Sequence, residues 1–204
     1  MTKSHLQLVT PATVLRAVLT RKPNAEYRSR EYLTQTEVDQ LIDAVKGNRY
    51  GHRDAAMVLM AYRHGLRASE LCDLKWDEVD FAGGCLHVRR RKHGSPAKHP
   101  LQGDEMRALR RLRRDNPHGE WVFVSERGAS FSRHGFAAMI ARAGKEAGFG
   151  FKAHPHMLRH ACGHALANRG VDTRSLQAYL GHRNIQSTTV YTEMAPGRFK
   201  GFWT

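Results

Sequence analysis

Only one stretch of this chain, residues 79–101, alternates apolar and polar side chains with the period of a strand. Val79 and Phe81 are followed by a Gly83-Gly84 turn, and Leu86 and Val88 resume the alternation. Lys92-His93-Gly94-Ser95 offers a second turn, and Ala97–Leu101 returns. Almost everything else beyond residue 30 carries helical period and helix punctuation. One antiparallel meander in an otherwise helical chain limits the fold to α+β, mostly helical, with a small three-stranded antiparallel sheet.

The helices announce their own ends. Thr34-Gln35-Thr36-Glu37 is a capping box ahead of Val38, Leu41, Ile42 and Val45, and Gly47 closes that helix. Residues 53–62 read as a buried helix and Ser69 to about Lys75 as another, with Arg67 at the join. Further helices are predicted at 104–115, 132–147, 156–169, 172–180 and 187–194. Gly170 lies past the end of the third, and Asp172 and Gly181 are the N-cap and stop of the fourth. Residues 1–30 read as a basic lead with a short helical face of Val14, Leu15, Val18 and Leu19. Residues 31–204 read as one main domain. A 204-residue chain that is 41% hydrophobic can bury one core of useful size.

Charge narrows the partners. Thirty-three Lys and Arg face 19 Asp and Glu, a formal charge of +14, which favours a polyanion such as nucleic acid. The excess is concentrated: Arg89, Arg90, Arg91, Lys92, Lys98, Arg107, Arg110, Arg111, Arg113 and Arg114 lie within residues 86–114. Arg107, Arg110, Arg111 and Arg114 recur at i, i+3, i+4 and i+7, so they form one helical stripe, while Ala108, Leu109 and Leu112 turn inward. Beside a basic hairpin, such a stripe is expected to follow DNA phosphates. The cysteines, Cys72, Cys85 and Cys162, are odd in number and form no Cys-x-x-Cys pair, which points to a reducing, cytoplasmic compartment. Nowhere do 18 apolar residues run together, so no membrane association is expected.

The chemistry-bearing residues stand in a fixed order. Gly65-Leu66-Arg67-Ala68-Ser69-Glu70-Leu71 comes first, then Lys92, then His156-Met157-Leu158-Arg159-His160, then Leu180-Gly181-His182, and last Tyr191. This inventory of a phenol, two guanidinium groups, two imidazoles and an ammonium suits attack on a phosphodiester without a metal. Arginines neutralise the non-bridging oxygens, a phenol attacks phosphorus, and a lysine protonates the departing alkoxide. Glu70, three residues after Arg67, is placed to hold its guanidinium, and His156 and Arg159 share an i, i+3 spacing. The i, i+4 series His156, His160 and His164 also fits zinc. That use would take His156 from the phosphate, and no carboxylate sits beside these histidines, so no metal is expected.

The order Arg, Lys, His-x-x-Arg, His, Tyr resembles the tyrosine recombinases, integrases that cut and rejoin DNA through a phosphotyrosine. Gly65–Leu74, His154–Gly163 and Leu180–Thr192 carry the likeness, over roughly the last four-fifths of the chain. The run His154–Gly163 makes it most similar to the fimbrial phase-variation recombinases, which invert promoter segments. The resemblance implies Arg67, Lys92, His156, Arg159, His182 and Tyr191 as the catalytic set, with Glu70 and His160 in support. It implies no cofactor, double-stranded DNA as partner, and a homotetramer on paired sites that is monomeric or weakly associated off DNA. A DNA-bending accessory protein and a place at the bacterial nucleoid go with that picture. A type IB topoisomerase shares the chemistry, and a non-catalytic DNA-binding regulator would keep the fold. His64 stands where many members have Thr. Larger members carry a separate helical domain of about a hundred residues, which residues 1–30 are too few to replace. By the same resemblance, the aromatic tail after Tyr191 (Phe199, Phe202, Trp203) passes to a neighbouring protomer, docking back onto its own domain being the alternative.

Overall fold

A computed structural model describes residues 31–90 and 96–193. The expectations for the basic lead, for Arg91 and Lys92 in the hairpin turn, and for the aromatic tail lie outside the described residues.

The first helix, α1 (Gln35–Lys46), opens on the expected capping box. The Thr34 side chain accepts the Glu37 N–H, and Glu37 accepts the Thr34 N–H at 2.8 Å. Its apolar stripe, Val38, Leu41 and Val45, packs on α2 (Gly51–Arg63), whose Ala56, Met57, Val58, Met60 and Ala61 form the centre of the core. A short α3 (Ala68–Cys72) follows. The predicted extension to Lys75 does not occur, because Leu74 and Lys75 leave the helix to pair with a neighbouring loop. The Leu74 carbonyl accepts the Val122 N–H, and Lys75 bridges Trp121. A 3₁₀ turn, Trp76–Glu78, then leads into the sheet.

The sheet has the order β1-β2-β3, all antiparallel: β1 (Val79–Asp80), β2 (Cys85–Val88) and β3 (Ala97–Pro100). Val79 pairs Leu86, and Val88 pairs Ala97. Phe81 was expected to continue β1, but Asp80 ends the strand. Its carboxylate accepts the Ala82 and Gly83 N–H groups and turns the chain. After the sheet come α4 (Gly103–Asp115), α5 (Arg133–Glu146), α6 (Pro155–Asn168), α7 (Thr173–Leu180) and α8 (Gln186–Glu193). All five lie within two residues of their predicted ends. Their caps explain why: Ser132 and Asp172 accept first-turn N–H groups, and Gly181, at φ 64°, stops α7 in the left-handed region. Helix α6 packs against α2, α7 and α8, and β3 lies against α7, so α2 and the last two helices meet on α6 and the sheet joins them through α7. Among the described residues no helix is long and apolar enough to cross a membrane.

Candidate active site

Arg159 sits on α6 and is only 1% exposed. A guanidinium so deep must have its donors satisfied. Nη1 donates to the Gly65 carbonyl at 2.5 Å and Nη2 to the Leu180 carbonyl at 2.7 Å. Those carbonyls belong to two different turns. Gly65 joins α2 to the Arg67 segment, and Leu180 ends α7 just before Gly181 and His182. One buried arginine thereby fastens together segments 94 and 21 residues away from it in sequence.

Arg67 occupies the N-cap position of α3, with its side chain 26% exposed. Its Nη1 donates to Glu70 Oε1 at 2.6 Å and its backbone N–H to Glu70 Oε2 at 2.9 Å, the contact expected from the i, i+3 spacing. Burial works against the Glu70 carboxylate, but the Arg67 N–H and the Arg90 charge outweigh it and hold the carboxyl below its ordinary value.

Arg90 requires a correction. It was expected to follow DNA phosphates, yet its side chain is fully buried. It donates to Glu70 Oε2 at 3.0 Å, to the His64 carbonyl at 3.1 Å, to the Gly65 carbonyl at 3.4 Å and to the Tyr179 carbonyl. The reason is the strand period: Leu86 and Val88 face the core, and Arg90 is next on that face. Arg89 points the other way, 72% exposed, toward Glu78 and Asp77, and Lys98 is exposed on β3. Arg107, Arg110, Arg111 and Arg114 are all exposed on one face of α4, opposite buried Met106, Leu109 and Leu112. With His52, Asp104 and Ala108 they line a groove of about 440 Å³.

Tyr191, in the last turns of α8, is 2% exposed. Its hydroxyl meets His160 Nδ1 at 2.9 Å, and the His164 ring stands edge-on to its own at 5.0 Å. Burial pushes the phenol up to about 12, against the opposing pull of the Arg159 charge. The phenol is therefore protonated at neutral pH, with His160 Nδ1 within hydrogen-bonding distance of it. His182 pairs through Nδ1 with the Thr188 hydroxyl at 2.9 Å. Burial, then the charges of Arg159, Arg67 and Arg90, push its imidazole down to about 4, so it is neutral at neutral pH. His156 is exposed in the first turn of α6 and meets the His160 ring edge-on at 4.4 Å. The i, i+3 spacing thus sets His156 at the surface and Arg159 in the wall behind it. The i, i+4 histidines divide between the surface, the Tyr191 hydroxyl and the rings of Tyr32 and Tyr191.

Three guanidinium groups, Arg67, Arg90 and Arg159, gather around one carboxylate, Glu70. Burial and the charges of Arg67 and Arg90 bring Arg159 down to about 10. Of the three, only Arg67 keeps part of its side chain exposed, while Arg90 is fully enclosed. Sequence reasoning also passed over His99, which is fully buried, stacks on Tyr179 at 3.8 Å and meets His64 Nδ1 at 3.2 Å, with Glu105 against the far side of His64. Its position opposite inward-facing Leu86 in the β2–β3 register would have marked it as inward.

The profile of the phage integrase family matches residues 31–198. The chain is 42% identical over 187 residues to the type 1 fimbriae regulatory protein FimB of Escherichia coli (strain K12), covering 89% of this chain and 94% of that one. It is 44% identical over 180 residues to FimE of the same strain, covering 85% and 91%. The crystal structure of XerA recombinase superposes with a TM-score of 0.72 at 28% identity, covering 84% of this chain and 63% of that one.

Proposed function

The chain belongs to the phage integrase family, and from that premise we propose that it is a site-specific tyrosine recombinase that breaks and rejoins double-stranded DNA. One observation supports the reading above the others. Arg159 binds the turn before Arg67 and the turn before His182, while Tyr191 packs against the helix that carries Arg159, at its Gly163.

In the proposed reaction the Tyr191 oxygen attacks the scissile phosphorus and its proton passes to His160 Nδ1. Arg67, Arg159, His156 and His182 meet the non-bridging oxygens, where negative charge grows in the transition state. The bond to the 5′-oxygen breaks, and Lys92 supplies the proton to that leaving group. The product is a 3′-phosphotyrosyl bond and a free 5′-hydroxyl. Attack by a partner strand's 5′-hydroxyl reverses the steps, so the phosphoester energy is conserved and no ATP is required. Since every proposed charge stabiliser is a side chain, no metal is required. The likeness to the fimbrial proteins favours inversion of a DNA segment over integration or excision, carried out by four protomers on paired sites.

A nicked suicide duplex, which loses a short fragment after cleavage, tests the reading. In EDTA the wild-type protein is expected to form a denaturation-resistant adduct with it, whereas Tyr191→Phe binds the duplex and forms none. An adduct with Tyr191→Phe, or none with the wild type, rejects it; the latter outcome leaves a DNA-binding regulator on the same fold. Cleavage at single, unpaired sites followed by strand passage is the result a topoisomerase would give.

A further inference from the structure

Arg90 takes no part in the steps above, yet it touches both the turn that delivers Arg67 and the turn that delivers His182. Glu70, which receives Arg90 Nη1, also holds Arg67. The Gly65 carbonyl, which receives Arg90, also receives Arg159. The Tyr179 carbonyl precedes Leu180, whose own carbonyl receives Arg159 Nη2. The turn that delivers His182 lies directly on the Arg90 stem, since a Cβ on Gly181 would come within 2.5 Å of Arg90 Cγ. Arg90 follows β2 by two residues, and Lys92 is two residues further along the sequence.

A buried cation placed for stability alone would be matched by a carboxylate of its own. Here it shares Glu70 with Arg67 and adds like charge beside Arg159. Its planar fork, unlike a single ammonium, can address four acceptors at once: the adjacent His64 and Gly65 carbonyls, the Glu70 carboxylate and the Tyr179 carbonyl. We propose that Arg90 is a positioning residue for DNA cleavage, fixing Glu70 and the Gly65 and Tyr179 carbonyls so that Arg67 and Arg159 meet the scissile phosphate in one geometry. The inference rests on the recombinase reading.

The test compares wild type and Arg90→Lys on the suicide duplex with either an ordinary scissile phosphate or a neutral methylphosphonate. Misplacing a catalytic group by about 1 Å can cost 10²-fold, so Arg90→Lys is expected to bind DNA within about 2-fold of wild type but cleave the phosphodiester roughly 10²-fold more slowly. On the methylphosphonate, which gives the arginines less charge to neutralise, the deficit is expected to shrink to below about 10-fold. Rates are taken per folded molecule, and Arg90→Gln replaces Arg90→Lys should the latter fail to fold. Wild-type cleavage by the variant overturns the inference. So does an equal deficit on both substrates, which is what a purely structural residue would give. Failure of the wild type to form an adduct overturns the recombinase reading and this inference with it.

Discussion

The Tyr191 ring lies on the backbone of α6 at Gly163, so close that a Cβ there would stand 2.8 Å from three ring carbons. A glycine inside a helix costs about 1 kcal/mol relative to alanine. At this position it opens the seat for the proposed nucleophile and sets the reach of its hydroxyl to His160.

Gly163→Ala is therefore expected to separate helix propensity from chemistry. The ring must move, because α6 is held by Arg159 and cannot give way easily. Adduct formation on the suicide duplex should fall at least ~10-fold, with DNA affinity within about 2-fold of wild type. Electrophoretic mobility shift and a denaturing gel measure both; unchanged adduct yield would show that the ring position is not limiting.

His99 makes stability depend on pH. Burial, then the charges of His64 and Arg90, push its imidazole down to about 3 from an ordinary 6.5. The unfolded chain therefore binds this proton first as pH falls. The stability that neutral His99 contributes is fully present above about 6.5 and drains away toward 3, reaching a loss of about 2 kcal/mol at pH 5. His99→Asn, which does not titrate, is expected to flatten that part of the slope. Urea unfolding of both proteins between pH 5 and 8 reads it, and parallel slopes would remove His99 as the source.

The arginine face of α4 is expected to track phosphates. Replacing Arg110 and Arg114 with Ala should weaken binding by a similar factor on every duplex sequence. It should also lower the slope of log affinity against log salt by about 1 for each phosphate left without its arginine. Fluorescence anisotropy titrations at several salt concentrations give that slope; an unchanged slope would mean that these side chains are only solvated.

What the sequence determined by itself was local. The caps at Thr34 and Asp172, the left-handed stop at Gly181 and the single period-two stretch mark where most elements begin or end, because those signals act within a few residues. The Arg67–Glu70 pair was legible for the same reason. Arg90 was misread because its neighbours Arg89, Arg91 and Lys92 made a charge run look like a surface, although the strand period carried through to it. The tertiary structure alone decided that Arg159 would bond Gly65 and Leu180, that Tyr191 would meet His160, and that His99 would stack on Tyr179. Each of those contacts joins residues far apart in the chain; the Arg159 and Tyr191 bonds exist because a buried polar group had to find a partner once the helices had closed around it, and the His99 stack because two buried rings share one space. Spacing along the chain carries no record of that choice.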